Sequence, residues 1–177
     1  YMDNAGEAEC LAAREAAERR GIDLEVLDVH RRGLELVCRP FAACYLRGET
    51  PNPCIVCNPS LKFKSLLDYA DEAGAEFIAT GHYARSKNGQ IYKGLPSNDQ
   101  SYMLCRLTGE QAQRLILPLG NYEKAQVRAM AAEMGLPSAH KPDSMEICFI
   151  PDKDYVRWLE SRGPIPPEGD FIFHGRT

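Results

Sequence analysis

No run of about 18 apolar residues occurs in this sequence, so nothing in it reads as a membrane span. No basic stretch followed by an apolar one opens it, so no secretory signal is read either. A basic excess is missing as well. The formal net charge is −4, which argues against a surface given over to phosphate contacts. It leaves room for a local patch, since Arg47, Lys62 and Lys64 flank one motif and Lys141 precedes another. Internal repeats and low-complexity tracts are absent. Cysteine, by contrast, is abundant: there are seven in 177 residues, an odd number. Without a secretion signal the expected compartment is a reducing, cytoplasmic one. There, clustered cysteines are more often catalytic or metal-binding than structural bridges. A chain of this length buries roughly 70% of its unfolded surface and needs no disulfide staple.

Periodicity gives the coarse organisation. A helix is expected from about Glu7 to Arg20, closed by Gly21. Leu24 to Val29 reads as a short strand. A second helix runs to about Leu46, kinked or restarted by Pro40 and ended by Gly48. The prolines of Thr50-Pro-Asn-Pro-Cys54 exclude a regular helix or a central strand there. Leu61, Leu66, Leu67 and Ala70 then share a helical face that Gly74 stops. Phe77 to Thr80 reads as a buried strand. Ala84 to Lys93 reads as a hairpin turning at Asn88-Gly89. Thr108 to Gln111 has capping-box spacing. Asn121 is the expected cap of a helix carrying Val127, Met130, Ala131 and Met134 on one face, and Asp152 the expected cap of a last helix. From Gly163 the chain becomes rich in proline and glycine. Helices alternating with strands imply an α/β domain with a parallel sheet. Such a sheet places ligands beyond the C-terminal ends of its strands, which is where Thr80-Gly-His-Tyr83 falls.

Cys54-Ile-Val-Cys57 is the first candidate for chemistry. Three readings stand. It is half of a zinc or iron–sulfur site, a redox pair, or a mount for one reactive thiol after a stiff loop. The sequence has no second CxxC and no paired histidine, which weighs against the metal. The preceding Pro-Asn-Pro loop weighs against a thioredoxin-like pair. Cys148, between Ile147 and Phe149, taken alone is more often a buried inert thiol. Cys10, Cys38, Cys44 and Cys105 sit in apolar patterns and carry that same bland expectation. His82 alone is more often a hydrogen-bonded residue at a strand end than a catalyst. A methyltransferase lacks support, because no glycine-rich loop for S-adenosylmethionine follows a strand.

The ordered set says more than its parts. Thr50-Pro-Asn-Pro-Cys-Ile-Val-Cys-Asn58, Lys62-Phe63, Ala79-Thr-Gly-His-Tyr-Ala84, Asn98-Asp-Gln-Ser-Tyr102, Pro118-Leu-Gly120, Lys141-Pro-Asp-Ser144 and Ile147-Cys-Phe-Ile150 occur in this order. Together they resemble the tRNA-specific 2-thiouridylase family. The resemblance implies an adenine-nucleotide α-hydrolase-like, Rossmann-like domain over 1–154, with 155–177 as a linker or the start of a central domain. It implies ATP, with Mg2+ as its counter-ion, and no metal held by the protein. Its implied partners are tRNA and a sulfur-donor protein that delivers a persulfide.

The implied reaction adenylates the C2 oxygen of the wobble uridine; a persulfide sulfur then replaces it and AMP leaves. By the resemblance, Cys148 bears the persulfide and Cys57 is the second thiol. Cys57 either attacks the base directly or, as the preferred reading, attacks the persulfide and leaves a Cys57–Cys148 disulfide. Asn52, Pro53 and Cys54 match positions that touch the target base. His82, Asn98, Asp99 and Gln100 match tRNA contacts, while Met2 and Gly81 match ATP contacts. At position 54 some members carry an Asp proposed as acid or base, and this chain has Cys54 instead. The family's nucleotide loop, Ser-Gly-Gly-Val-Asp-Ser, and its C-terminal β-barrel do not occur in these 177 residues. A non-catalytic relative that binds tRNA or protein is therefore the alternative. Because the pyrophosphate would find no such loop, this stretch alone is expected to bind ATP poorly. Calorimetric titration with ATP checks this, and micromolar binding would overturn it.

Overall fold

The computed structural model describes residues 6–140, 147–150, 152–167 and 169–170, the first four as backbone only. Met2 and Lys141 to Ser144 lie outside the described residues.

The helix Gly6–Arg20 ends at Gly21, whose φ of 63° is the left-handed conformation that glycine adopts most cheaply. Its last two residues clamp a distant helix. Arg19 donates to the carbonyl of Gly135 at 3.1 Å and Arg20 to that of Met134 at 2.7 Å. These are terminal carbonyls that the helix Lys124–Glu133 leaves open.

Residues 22–29 form no strand and pair with nothing among the described residues, which corrects the strand expected at Leu24 to Val29. Leu24 and Val26 are correspondingly exposed. The helix that follows runs through residues 30–46 without a break at Pro40. Proline has no N–H to give the carbonyl four residues back. The hydrogen-bond ladder instead widens to π spacing over Leu34–Cys38, immediately before it. The same device recurs in the helix spanning residues 54–72, where the π turn Asn58–Phe63 contains Pro59. That helix starts at Cys54, so the CxxC pair occupies its first turn and does not belong to the preceding loop.

Strand β1 (Ile78–Ala79) pairs in parallel with β4 (Leu115–Ile116). Strand β4 had no clear sequence signal. The hairpin β2 (Ala84–Lys87) and β3 (Gln90–Lys93) turns at Asn88 and Gly89, both at positive φ, as the Asn-Gly pair requires. Ser86 ties the hairpin to the parallel pair by donating to the carbonyl of Leu115 at 2.8 Å. The parallel sheet is thus a single pair among the described residues, smaller than the sequence led one to expect. Thr108 caps the helix Gly109–Gln113 with the expected capping box. The cap of Lys124–Glu133 is Glu123 with Gln126, not Asn121. Asp154, not Asp152, caps the helix Tyr155–Glu160, because only Asp154 reaches the Arg157 N–H.

Two apolar clusters hold these elements. One gathers Val37, Phe41, Leu61, Phe149, Ile150 and Trp158. Trp158 brings the helix Tyr155–Glu160 onto it, so the segment 155–177 begins packed against what precedes it. The other cluster gathers Phe63, Leu67, Ile78, Ala84, Leu104 and Leu115. Residues 54–72 join both, Leu61 facing one and Phe63 the other.

Gly120 fits where no side chain could: a Cβ there would lie 2.0 Å from the carbonyl oxygen of Ala84. Gly120→Ala is expected to cost about 1–3 kcal/mol of stability through this overpacking, read as a lower urea midpoint. Gly81→Ala, whose Cβ would meet only the Leu119 side chain at 3.7 Å, is expected to leave the midpoint unchanged.

Candidate functional site: three thiols around one cavity

The CxxC pair is aimed by the turn that leads into its own helix. Pro53 is buried and fixes the approach, and the Asn52 side chain accepts from the Cys54 N–H at 3.1 Å. Asn52 therefore has a structural job at the helix start. One turn further on, Cys57 is half-buried against the cluster around Phe41 and Leu61. Cys148 arrives from the opposite direction. Phe149 and Ile150, 2% and 0% exposed, are sunk in that same cluster, while Cys148 stays at the surface. The flanking apolar residues thus anchor an exposed thiol, which corrects the bland expectation of a buried one. Cys105 is exposed too, against its apolar-pattern reading, whereas Cys38 is buried and Cys10 and Cys44 are intermediate.

Cys54, Cys57 and Cys148 line one cavity of about 370 Å³, together with Lys62 and His82. None of the cysteines is in a disulfide. Lys62 is the one charged side chain among the described lining residues, and none of those residues is a carboxylate that could act as acid or base beside Cys54. Two further residues were not singled out by sequence reasoning. Asn58, 2% exposed, donates to the Met103 carbonyl at 3.0 Å, and both line the cavity. The readable signal was a polar residue within the buried face of a helix.

His82 stands just past the end of β1. Its ring stacks on Phe63 with centroids 5.8 Å apart, and its Nδ1 lies 2.9 Å from Thr80 Oγ1. Burial, reinforced by the nearby Lys62 charge, pushes its pKa down to about 4. The ring is neutral at pH 7 and cannot serve as an imidazolium partner for a thiolate. Burial pushes the Cys57 thiol up to about 11; the Cys148 and Cys54 charges add to the rise, and Lys62 opposes it. Cys148 is also raised, by the protein mass around it and then by Cys54, again opposed by Lys62. At rest both thiols are protonated and quiet.

A second concavity of about 670 Å³ adjoins the first, and Pro53, Cys54, Met103 and Ile147 line both. It collects Asn52, Asn98, Asp99 and Gln100, which the sequence had placed in one functional set. Their side chains are also busy within the fold. Asp99 accepts from the Gly94 N–H at 2.6 Å and from Ser101 Oγ at 2.8 Å. Its carboxyl is held below the usual range: burial works against this, and the Gly94 and Ser101 hydrogen bonds prevail. Gln100 exchanges two hydrogen bonds with the Tyr83 backbone, at 3.0 and 2.8 Å. Asn98 donates to the Tyr122 carbonyl at 3.2 Å. Gly81 is exposed, and nothing within the fold demands that it be glycine. Among the described residues no group of three or more His, Cys, Asp and Glu is placed to hold a metal ion, and no helix is long and apolar enough to cross a membrane.

Residues 3–152 match the family described as the tRNA methyl transferase HUP domain. The tRNA-specific 2-thiouridylase MnmA 2 of Thermoanaerobacter sp. (strain X514) is 47% identical over 150 residues, covering 81% of this chain and 41% of that protein. The tRNA-specific 2-thiouridylase MnmA of Caulobacter vibrioides is 46% identical over 172 residues, 93% of this chain and 45% of that protein. That of Syntrophotalea carbinolica is 45% identical over 167 residues, 92% and 47% respectively. The chain spans less than half the length of these curated relatives.

The depressed pKa of His82 ties stability to pH. The unfolded ring takes up its proton near pH 6.5 and the folded one only near about 4. Stability from this group is therefore complete above about pH 6.5 and declines as pH falls toward about 4. His82→Phe keeps a ring against Phe63 and is expected to flatten that part of the urea-midpoint profile. An unchanged slope in the variant would show that another group is responsible.

Proposed function

The chain belongs to the tRNA methyl transferase HUP domain family, and on that footing we propose that its protein transfers sulfur to C2 of the wobble uridine of a tRNA in an ATP-dependent reaction. The observation that carries the reading is the convergence of Cys57 and Cys148, from two separate segments, on one cavity that also holds Lys62 and His82. Thiol chemistry is what this set of side chains can do. The relatives named above are 2-thiouridylases, which agrees with it.

The two thiols divide the work by depth. Cys148 is exposed on an anchored segment, within reach of a donor protein that passes it a persulfide sulfur. The persulfide is more acidic than the thiol and attacks C2 through its terminal sulfur. ATP, when bound, supplies the adenylate that makes the C2 oxygen a leaving group. Gly81 suits such a nucleotide: it is exposed, and its bare backbone permits close approach. The deeper Cys57 then attacks the Cys148 sulfur. The S–S bond breaks, its electron pair stays with the sulfur now on C2, and a Cys57–Cys148 disulfide forms. A cellular dithiol returns the two electrons.

The concavity beside the thiols takes the flipped base and its neighbours, because a base must leave its stack to be modified. Asn52, Pro53 and Cys54 form the edge shared with the thiol cavity, and Asn98, Asp99 and Gln100 form the far wall. His82 offers a neutral ring to the RNA. Cys54 is the nearest substitute for the carboxylate that the resemblance led one to seek.

The reading is tested in a protein that carries this stretch together with the further length the relatives possess. Cys57→Ser and Cys148→Ser are each expected to abolish 2-thiouridine, measured by mass spectrometry of digested tRNA, with ATP-dependent adenylation retained. Full sulfur transfer by Cys148→Ser would overturn the assignment. Loss in Cys54→Ser alone would move the second role to Cys54. An unmodified protein that binds tRNA and never thiolates it would leave a binding module in place of an enzyme.

A further inference from the structure

We propose that Lys62, the one charged side chain among the described residues lining the thiol cavity, is a positioning residue, carried onto the Cys57 face by the π turn so that both reactive sulfurs ionise beside it. The proposal deepens the sulfur-transfer reading and rests on it for its biological meaning.

The argument begins with helix geometry. Five residues separate Cys57 from Lys62. In an α-helix of 3.6 residues per turn they would point about 140° apart. Lys62 lies within the π turn Asn58–Phe63, whose wider i→i+5 spacing brings residues five positions apart much closer to one face. The two side chains therefore fall on the same face and line the same cavity. The turn contains Pro59, which cannot supply the α-helical hydrogen bond in any case. Wide turns of this kind are uncommon, and they recur where a side chain must be re-aimed.

The surroundings leave the ammonium free to act. No ion pair or hydrogen bond engages Lys62 among the described residues, whereas its neighbour Lys64 is paired with Asp68. The ionisable groups facing it are few. Its own helix contributes Cys54 and Cys57, the loop after β1 contributes His82, and the segment 147–150 contributes Cys148. The other lining elements present Val29, Val37 and Met103, none of which titrates. Each sulfur that attacks in the proposed reaction does so as an anion, and His82 is neutral. Lys62 is then the side chain among the described ones that can favour thiolate or persulfide over the protonated form. It opposes the burial that raises both Cys57 and Cys148.

The test is a thiol titration of this chain, which needs neither ATP nor tRNA. The rate of iodoacetamide labelling at each cysteine is followed by mass spectrometry from about pH 7 to about pH 11, spanning ordinary and raised thiols. Lys62→Met is expected to slow labelling of Cys57 and Cys148 at a given pH by roughly three- to tenfold, the scale of one nearby charge at a protein surface. Lys62→Arg is expected to restore it. Cys105, exposed and away from the cavity, is the internal reference and keeps its rate. Equal Cys57 and Cys148 profiles in the wild type and Lys62→Met overturn the proposal, as does equal slowing of Cys105, which marks a general structural change. Neither result touches the sulfur-transfer reading. Conversely, thiolation that survives loss of both thiols would sink that reading and leave the cation's effect standing.

Discussion

Residues 54–72 must satisfy two apolar clusters at once, and the rest of the site depends on how they do so. Leu61, 2% exposed, is buried in one cluster, and Phe63, completely buried, in the other. Burying each such side chain stabilises the fold by about 1.5–3 kcal/mol. Residues two apart lie on opposite sides of a helix, so Leu61 and Phe63 face different cores while the helix continues unbroken through the π turn Asn58–Phe63. The poorer hydrogen bonding of a π turn is offset by filling both clusters. Cys57 leans on the first cluster and His82 stacks on Phe63 of the second, so the cavity opens along the seam between them.

That placement sets the chemistry. A half-buried thiol in apolar surroundings is stabilised as the thiol, and Cys57 is pushed up to about 11. A permanently ionised cysteine would be open to oxidants and to stray alkylation. In the proposed reaction a protonated Cys57 stays quiet until the persulfide on Cys148 has passed its outer sulfur to the base. The difference in exposure between the two cysteines sets an order in that proposed reaction, loading at the surface and resolution at depth.

What was legible in the sequence was local chemistry. The Asn88-Gly89 turn, the Thr108–Gln111 capping box and the glycine at the end of Gly6–Arg20 stand where their residues dictate, because each depends on contacts a few positions away. The set Asn52, Pro53, Cys54, Cys57, His82, Asn98, Asp99, Gln100 and Cys148 does come together around two adjoining concavities. Less legible was whatever depends on distant partners. Leu24 to Val29 has strand chemistry and no neighbour among the described residues to pair with. Pro40 reads as a kink or restart, and the chain stays helical there while its spacing changes from π to α at Arg39, immediately before it. Asn121 and Asp152 are good capping residues two positions from the ones that cap each helix, since Glu123 and Asp154 make the local capping bonds instead. Asn98, Asp99 and Gln100 carried a second role that no motif discloses, since their side chains bond to backbone brought from elsewhere in the chain.

That second role bears on molecular recognition. The wall formed by residues 94–101 is tied down by Asp99 and Gln100 before any nucleotide arrives. Its hydrogen-bonding groups are largely committed inward, and its conformational entropy is already spent in folding. A surface of this kind selects by shape more than by adaptable polar contacts. In the proposed tRNA complex the ordering cost would then fall on the RNA rather than on this wall.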